Sequence, residues 1–171
     1  MSIEDLILDR VKRGMLYPVV PRSQGEAARR AMFVCERLWR VMNAPIGDDV
    51  AWEQRLGELQ ADLEAFAEGQ PIGPKYLFLL SPAYDSVWEI RSTRETPSIR
   101  VLGLFAKKDV FIATNFALRE ELGKWESREW RHVKRIASAE FRNMFYPYGP
   151  ARTTNAQRLV TGALNGKYFK G

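Results

Sequence analysis

The side chains best suited to chemistry in this sequence are cations set among apolar strand residues. Arg91 ends the alternating segment Val87-Trp88-Glu89-Ile90-Arg91, and Arg100 stands between Ile99 and Val101 in the next apolar run. Arg119 follows a further run, Lys107 and Lys108 fall in a turn, and Arg128, Arg131, Arg135 and Arg142 recur at helical spacing. A charged residue in mid-strand is solvated, paired or functional, because burying it alone is prohibitive. Two readings of Arg100 are therefore open: a cross-strand pair with Glu89, or contact with an anion.

Other chemistries find little to work with. The glycines are scattered, so no phosphate-cradling loop precedes a helix, and neither Gly-x-Ser-x-Gly nor His-Glu-x-x-His occurs. One histidine, His132, and one cysteine, Cys35, leave neither an intramolecular disulfide nor a Cys- or His-built metal site to expect. His132 falls between the apolar and basic arcs of its helix and reads as a helix-surface residue, with proton transfer as the alternative. Cys35 lies among apolar neighbours as a small core residue. No cofactor is implied.

The charge distribution points the same way as the arginines. The net charge is +5, but residues 1–70 hold 9 Lys/Arg against 12 Asp/Glu, while residues 71–171 hold 17 against 9. The whole positive excess lies in the C-terminal portion, which suggests a polyanionic partner, nucleic acid first; a merely solvated basic face is the alternative. With 171 residues, 46% hydrophobic and 27% charged, the chain suits one domain with a real core and excludes a disordered or low-complexity protein. No apolar run approaches the roughly 18 residues of a membrane span. The start Met-Ser-Ile-Glu-Asp carries acids where a signal peptide needs bases. A soluble, cytoplasmic protein with no membrane partner is expected.

The elements that position these cations follow from periodicity. Residues 2–13 form a helix opened by Ser2 and Asp5 at capping-box spacing and ended by Gly14. Residues 16–20, bounded by Pro18 and Pro21, suit an edge strand or connector. A second helix is predicted from the capping box Ser23-Gln24-Gly25-Glu26, its stripe running Ala27, Ala31, Val34, Leu38, Val41. A third starts near Asp48 or Asp49, buries Trp52, Leu56, Leu59, Leu63 and Phe66, and ends at Gly69; the short turn between the two predicts a helical hairpin. Period two then takes over, in residues 76–80, 87–91, 99–105 and 110–116, an antiparallel meander of about four strands. The connection 92–98 is polar and free to vary. A closing helix over 127–146 carries Trp130, Val133, Ala137, Phe141 and Met144 inward and its arginines outward. Residues 149–171 read as a basic tail, with a weak helix over 155–165 or else mobile. The fold expected is α+β in two layers, a helical hairpin and a C-terminal helix on a mainly antiparallel sheet whose other face is partly open. It divides as an N-terminal helical extension (1–45), a core (46–148) and the tail (149–171), all in one compact domain.

From Pro74 to about Tyr146 the chain resembles the RelE/HigB family of toxin ribonucleases, including its phage-derived members. Lys75-Tyr76-Leu77, Val87-Trp88-Glu89-Ile90-Arg91, Ile99-Arg100-Val101-Leu102, the apolar run 110–116 ending in Phe116, and a helix beginning Glu129-Trp130 carry the resemblance. Order and spacing, over somewhat more than half the chain, make the signal; no single motif is specific. The resemblance implies a small α+β fold with an RNA-binding sheet face, metal-independent cleavage of mRNA, usually on the ribosome, and an antitoxin protein as partner. In that chemistry a ribose 2′-hydroxyl attacks the adjacent phosphate, and fixed cations stabilise the charge that builds there. Arg100 would be the phosphate clamp, and Arg91 a second contact or a structural partner. Arg119 would be the surviving member of a basic pair, since Phe116-Ala117-Leu118-Arg119 stands where HigB-like members often carry two lysines. Tyr146, or Tyr148, would replace a missing Asp or His as proton carrier, and Lys107, Lys108, Arg128, Arg131, Arg135 and Arg142 would hold RNA. The alternatives are a non-catalytic module of the same fold that binds RNA, DNA or protein, and a structural protein whose basic face confers solubility.

Overall fold

The structure, a computed structural model, describes residues 1–21, 30–45 and 47–170. Helix α1, Ile3–Lys12, starts as its capping box requires: Ser2 accepts from the Asp5 amide and Asp5 accepts from the Ser2 amide. Gly14 takes φ +70° and turns the chain into β1, Leu16–Pro18, an edge strand as its prolines demand. Ala31–Cys35 is β2 and Glu36–Met42 is α2. The long second helix is thus corrected to a strand followed by a short helix, and its proposed capping box, Ser23 to Glu26, lies outside the described residues. Helix α3, Val50–Ala67, is capped by Asp49, which accepts from the Trp52 amide, and it touches α2 as the hairpin reading expects.

The meander appears in sequence order as β3 (Leu77–Leu79), β4 (Trp88–Ser92), β5 (Ile99–Lys107) and β6 (Val110–Leu118). These strands pair antiparallel, but the sheet does not stop there. Its order is β1-β2-β6-β5-β4-β3, with β2 parallel to β6. Six strands in a mixed sheet replace the four expected. Helix α4, Arg128–Phe145, capped by Ser127, packs its predicted stripe against β5 and β6.

Both faces of this sheet carry helices. Leu38 of α2 and Leu59, Leu63 and Phe66 of α3 pack with Trp88, Ile90, Val101 and Phe105 on one side. Leu6 and Ile7 of α1 and Trp130, Ala137 and Phe141 of α4 pack with Leu102, Leu104 and Ile112 on the other. The two-layer arrangement is corrected to three layers, because α4 and α1 together roof the face expected to be partly open.

The mobile alternative for the tail is corrected as well. A short helix, α5 (Ala156–Leu159), and the segment after it bury Leu159, Val160 and Tyr168 in the α3-side core. The Leu79 amide donates to the Tyr168 carbonyl at 2.7 Å. At the β5–β6 turn, Asp109 adopts φ 64° and its carboxylate accepts from the Thr161 amide at 2.7 Å and hydroxyl at 2.6 Å. The tail is a strap, held by the buried side chains of Ala156, Leu159, Val160 and Tyr168 and by backbone bonds that the basic composition did not advertise. No helix among the described residues is long and apolar enough to cross a membrane.

Candidate nucleic-acid interface

Three of the sequence-selected arginines come together at one end of the sheet. β4 and β5 set Arg91 directly opposite Arg100, and strand alternation turns both toward the α4 side, away from Ile90 and Val101. Glu89 points the same way from two residue pairs further along. Arg91 Nε lies 2.7 Å from Glu89 Oε1 and Arg100 Nε lies 3.6 Å from Glu89 Oε2, so one carboxylate serves two guanidiniums. The side chains are 29%, 13% and 2% exposed for Arg91, Arg100 and Glu89, which makes Glu89 the buried anchor and Arg91 the outermost member.

Each arginine has further fixed contacts. Arg91 lies 4.5 Å over the Phe78 ring. Arg100 donates from Nη1 to Ser98 Oγ at 3.0 Å. Arg119 donates from Nη1 to the Gly123 carbonyl at 2.8 Å, with its guanidinium 5.7 Å from the Trp130 ring centre. Burial holds the Arg100 guanidinium below its ordinary pKa; Glu89 opposes that, while the charges of Arg91 and Arg119 reinforce it. The charges of Arg91 and Arg119 thus both act on Arg100, where Glu89 offsets them. Beside it an open cleft of about 460 Å³ runs between residues 96–98 and Arg119, with Glu120 on the rim.

This arrangement can hold an anion at its edge. Arg91 engages Nε and Nη1 with protein and Arg119 engages Nη1, which leaves each with further N–H donors for an anion. The open patch is narrow, because α4 covers the neighbouring strands, and Glu89 offsets one of the three charges.

The remaining candidates lie elsewhere. Arg128, Arg131, Arg135 and Arg142 are all exposed on α4, as is His132. At 100° per residue the four arginines share an arc of about 60°. Lys107 sits at the β5–β6 turn, half exposed, and pairs with Glu4 of α1 at 2.6 Å; Lys108 is exposed beside it. Tyr146 is 77% exposed, beyond the far end of α4. Sixteen residues separate it from Trp130, about 24 Å at 1.5 Å per residue. The structure therefore does not bring Tyr146 to the Arg91–Arg100–Arg119 cluster. Cys35 is buried, and burial raises its thiol pKa, consistent with an inert core residue. Among the described residues no three His, Cys, Asp or Glu side chains form a metal-binding group.

One polar network escaped the sequence reading. Arg55 of α3, 2% exposed, donates to the Pro97 carbonyl at 2.5 Å and to the Ser92 carbonyl and hydroxyl at 2.8 and 2.9 Å. Ser92 Oγ donates to Asp62 at 2.5 Å, and Arg94 pairs with the same carboxylate. The 92–98 connection is thus pinned to α3 rather than free to vary, which fixes Ser98 under Arg100. A signal for it existed: Arg55 and Asp62, seven residues apart, fall on the arc that carries Leu59, Leu63 and Phe66.

Comparisons of the chain with protein-family models, with curated proteins and with solved structures find no significant match.

Proposed function

We propose that the protein is a RelE/HigB-like toxin acting on mRNA as a metal-independent endoribonuclease, with the phosphodiester held at the Arg91–Arg100–Arg119 cluster. The observation that carries the reading is the convergence of Arg91 and Arg100, from adjacent strands, on the Glu89 carboxylate, with the charge of Arg119 acting on Arg100 from the segment after β6. The order of elements adds support: two helices, a four-strand meander, then a closing helix. In this reading the cations take up charge as it builds on the phosphoryl oxygens during attack by the 2′-hydroxyl. The ribosome and an antitoxin are the partners the reading brings with it.

Expression in a bacterial host tests it. Growth arrest with mRNA cleavage, relieved by Arg100→Ala, is the expected result; normal growth with intact transcripts overturns the enzymatic form. A second reading, a non-catalytic RNA-binding module of the same fold, is favoured by one observation. Tyr146, the residue suited to carry a proton, lies about 24 Å along α4 from the cluster. RNA binding without cleavage by the folded protein is its signature.

A further inference from the structure

At the opposite end of α4 the chain builds a cleft of about 350 Å³ that nothing above uses. Tyr84, Tyr146 and Tyr148 line it together with Arg142 and Arg152. These tyrosines are 74%, 77% and 38% exposed, an unusual concentration of aromatic surface in water. The walls are held in place. Arg152 donates to the Tyr84 carbonyl at 2.6 Å, Tyr148 donates to the Met1 carbonyl, and Pro147 and Pro150 stiffen the segment between. Asp85 is the acid in the lining, against two arginines.

Exposed aromatic rings beside guanidiniums match the two halves of an unpaired nucleotide: a base that stacks and a phosphate that pairs. The exposed arginines of α4 connect this cleft to the first cluster, Arg128 and Arg131 near one end and Arg142 at the other. We propose that the tyrosine cleft binds an unpaired nucleotide of a single-stranded RNA whose backbone runs along the α4 arginine face to the Arg91–Arg100–Arg119 cluster. The inference rests on the RNA reading given above and extends it: the substrate is single-stranded, and it spans roughly seven stacked nucleotides at about 3.4 Å each. Tyr146 then holds a base rather than moving a proton.

The test uses the full chain with a labelled oligouridine dodecamer, a 12-base-pair RNA duplex, UMP and a proline-rich peptide. Tyr84→Ala combined with Tyr146→Ala is expected to weaken dodecamer binding about tenfold while leaving duplex binding and the melting temperature unchanged. Tyr146→Phe keeps the affinity. Photocrosslinks from the dodecamer map to Tyr84, Tyr146 or Tyr148. If Arg100→Ala weakens the dodecamer but no crosslink reaches the tyrosines, this proposal falls and the reading of the first cluster stands. If the crosslinks form and Arg100→Ala changes nothing, the cleft stands and that reading falls. Competition for the Tyr146 crosslink by UMP as effective as by unlabelled dodecamer overturns the strand path, and competition by the peptide alone overturns the nucleotide.

Discussion

Arg91 and Arg100 face one another across β4 and β5, and both reach the same carboxylate, that of Glu89. Two like charges in register repel, so the pair is tolerable only with that acid beneath it. Glu89→Gln keeps the shape and removes the charge. Complete burial would put the loss at about 3–5 kcal/mol, but both arginines retain some access to water, so about 2 kcal/mol is expected. A lower urea midpoint at unchanged m-value would record it. An unchanged midpoint would mean that the arginines are solvated without Glu89.

If the cluster grips phosphate, Arg100→Ala changes the salt dependence of RNA binding and not only its strength. Each phosphate neutralised on a single strand contributes about 0.7 to the slope of log K against log salt. The variant should therefore show a slope shallower by about that amount, with the fold verified by circular dichroism. Arg128→Ala, exposed on α4, should give a similar decrement if the strand follows the helix. Equal slopes for wild type and Arg100→Ala would remove phosphate from the account of this cluster.

Much of the frame was legible because it rests on local rules. The Ser2/Asp5 box, the start of α3 near Asp48 or Asp49, the closing helix from about 127 and the period-two runs of the meander all lie where those rules put them. The misreading of β2 has a definite cause. Ala31, Val34, Leu38 and Val41 fall at helical steps by coincidence, whereas Ala31–Cys35 is a short, continuously apolar run, the one pattern periodicity leaves ambiguous. Its strand character comes from pairing with β1 on one side and β6 on the other, contacts distant in sequence. The strap was hidden for a similar reason: Leu159, Val160 and Tyr168 are sparse among polar residues and find their core only in three dimensions. At the site, Glu89 was legible as a partner of Arg100, and Arg91, two residues along the same strand, shares that carboxylate through strand alternation.

The β5–β6 register depends on Gly103. β5 and β6 slip by one residue between Leu102 and Gly103, and a Cβ at Gly103 would stand 2.2 Å from the Ile112 carbonyl oxygen and 2.6 Å from the Phe111 ring. The backbone oxygen cannot swing aside as a side-chain tip would. Gly103→Ala should cost about 3 kcal/mol, the upper part of the overpacking range. Thermal melting checks it; a variant as stable as wild type would show that the bulge can relax.

The strap predicts a graded pair of effects at Tyr168. Its hydroxyl lies 2.6 Å from the Leu164 carbonyl and 3.1 Å from that of Ile72, with the ring in the α3-side core. Tyr168→Phe gives up a hydrogen bond and should cost about 1 kcal/mol. Tyr168→Ala opens a cavity as well and should cost about 3–5 kcal/mol. Equal and negligible effects in denaturant titrations would mean that the strap contributes no stability.

Tyr76 gives the fold an alkaline limit. Its hydroxyl donates to the Asp62 carbonyl at 2.6 Å, and burial, reinforced by the Asp62 charge, pushes the phenol far above its ordinary pKa. In the unfolded chain the same group ionises near pH 10. The folded state therefore holds this proton more tightly, so the contribution is fully present below about pH 10 and is lost as the pH rises beyond it. Burial raises Tyr168 in the same direction. Urea midpoints measured from pH 8 to pH 11 should fall at the alkaline end for the wild type and fall less for Tyr76→Phe, which has no proton to lose. Parallel curves for the two proteins would place the alkaline sensitivity elsewhere, and Tyr168→Phe would then be the variant expected to flatten it.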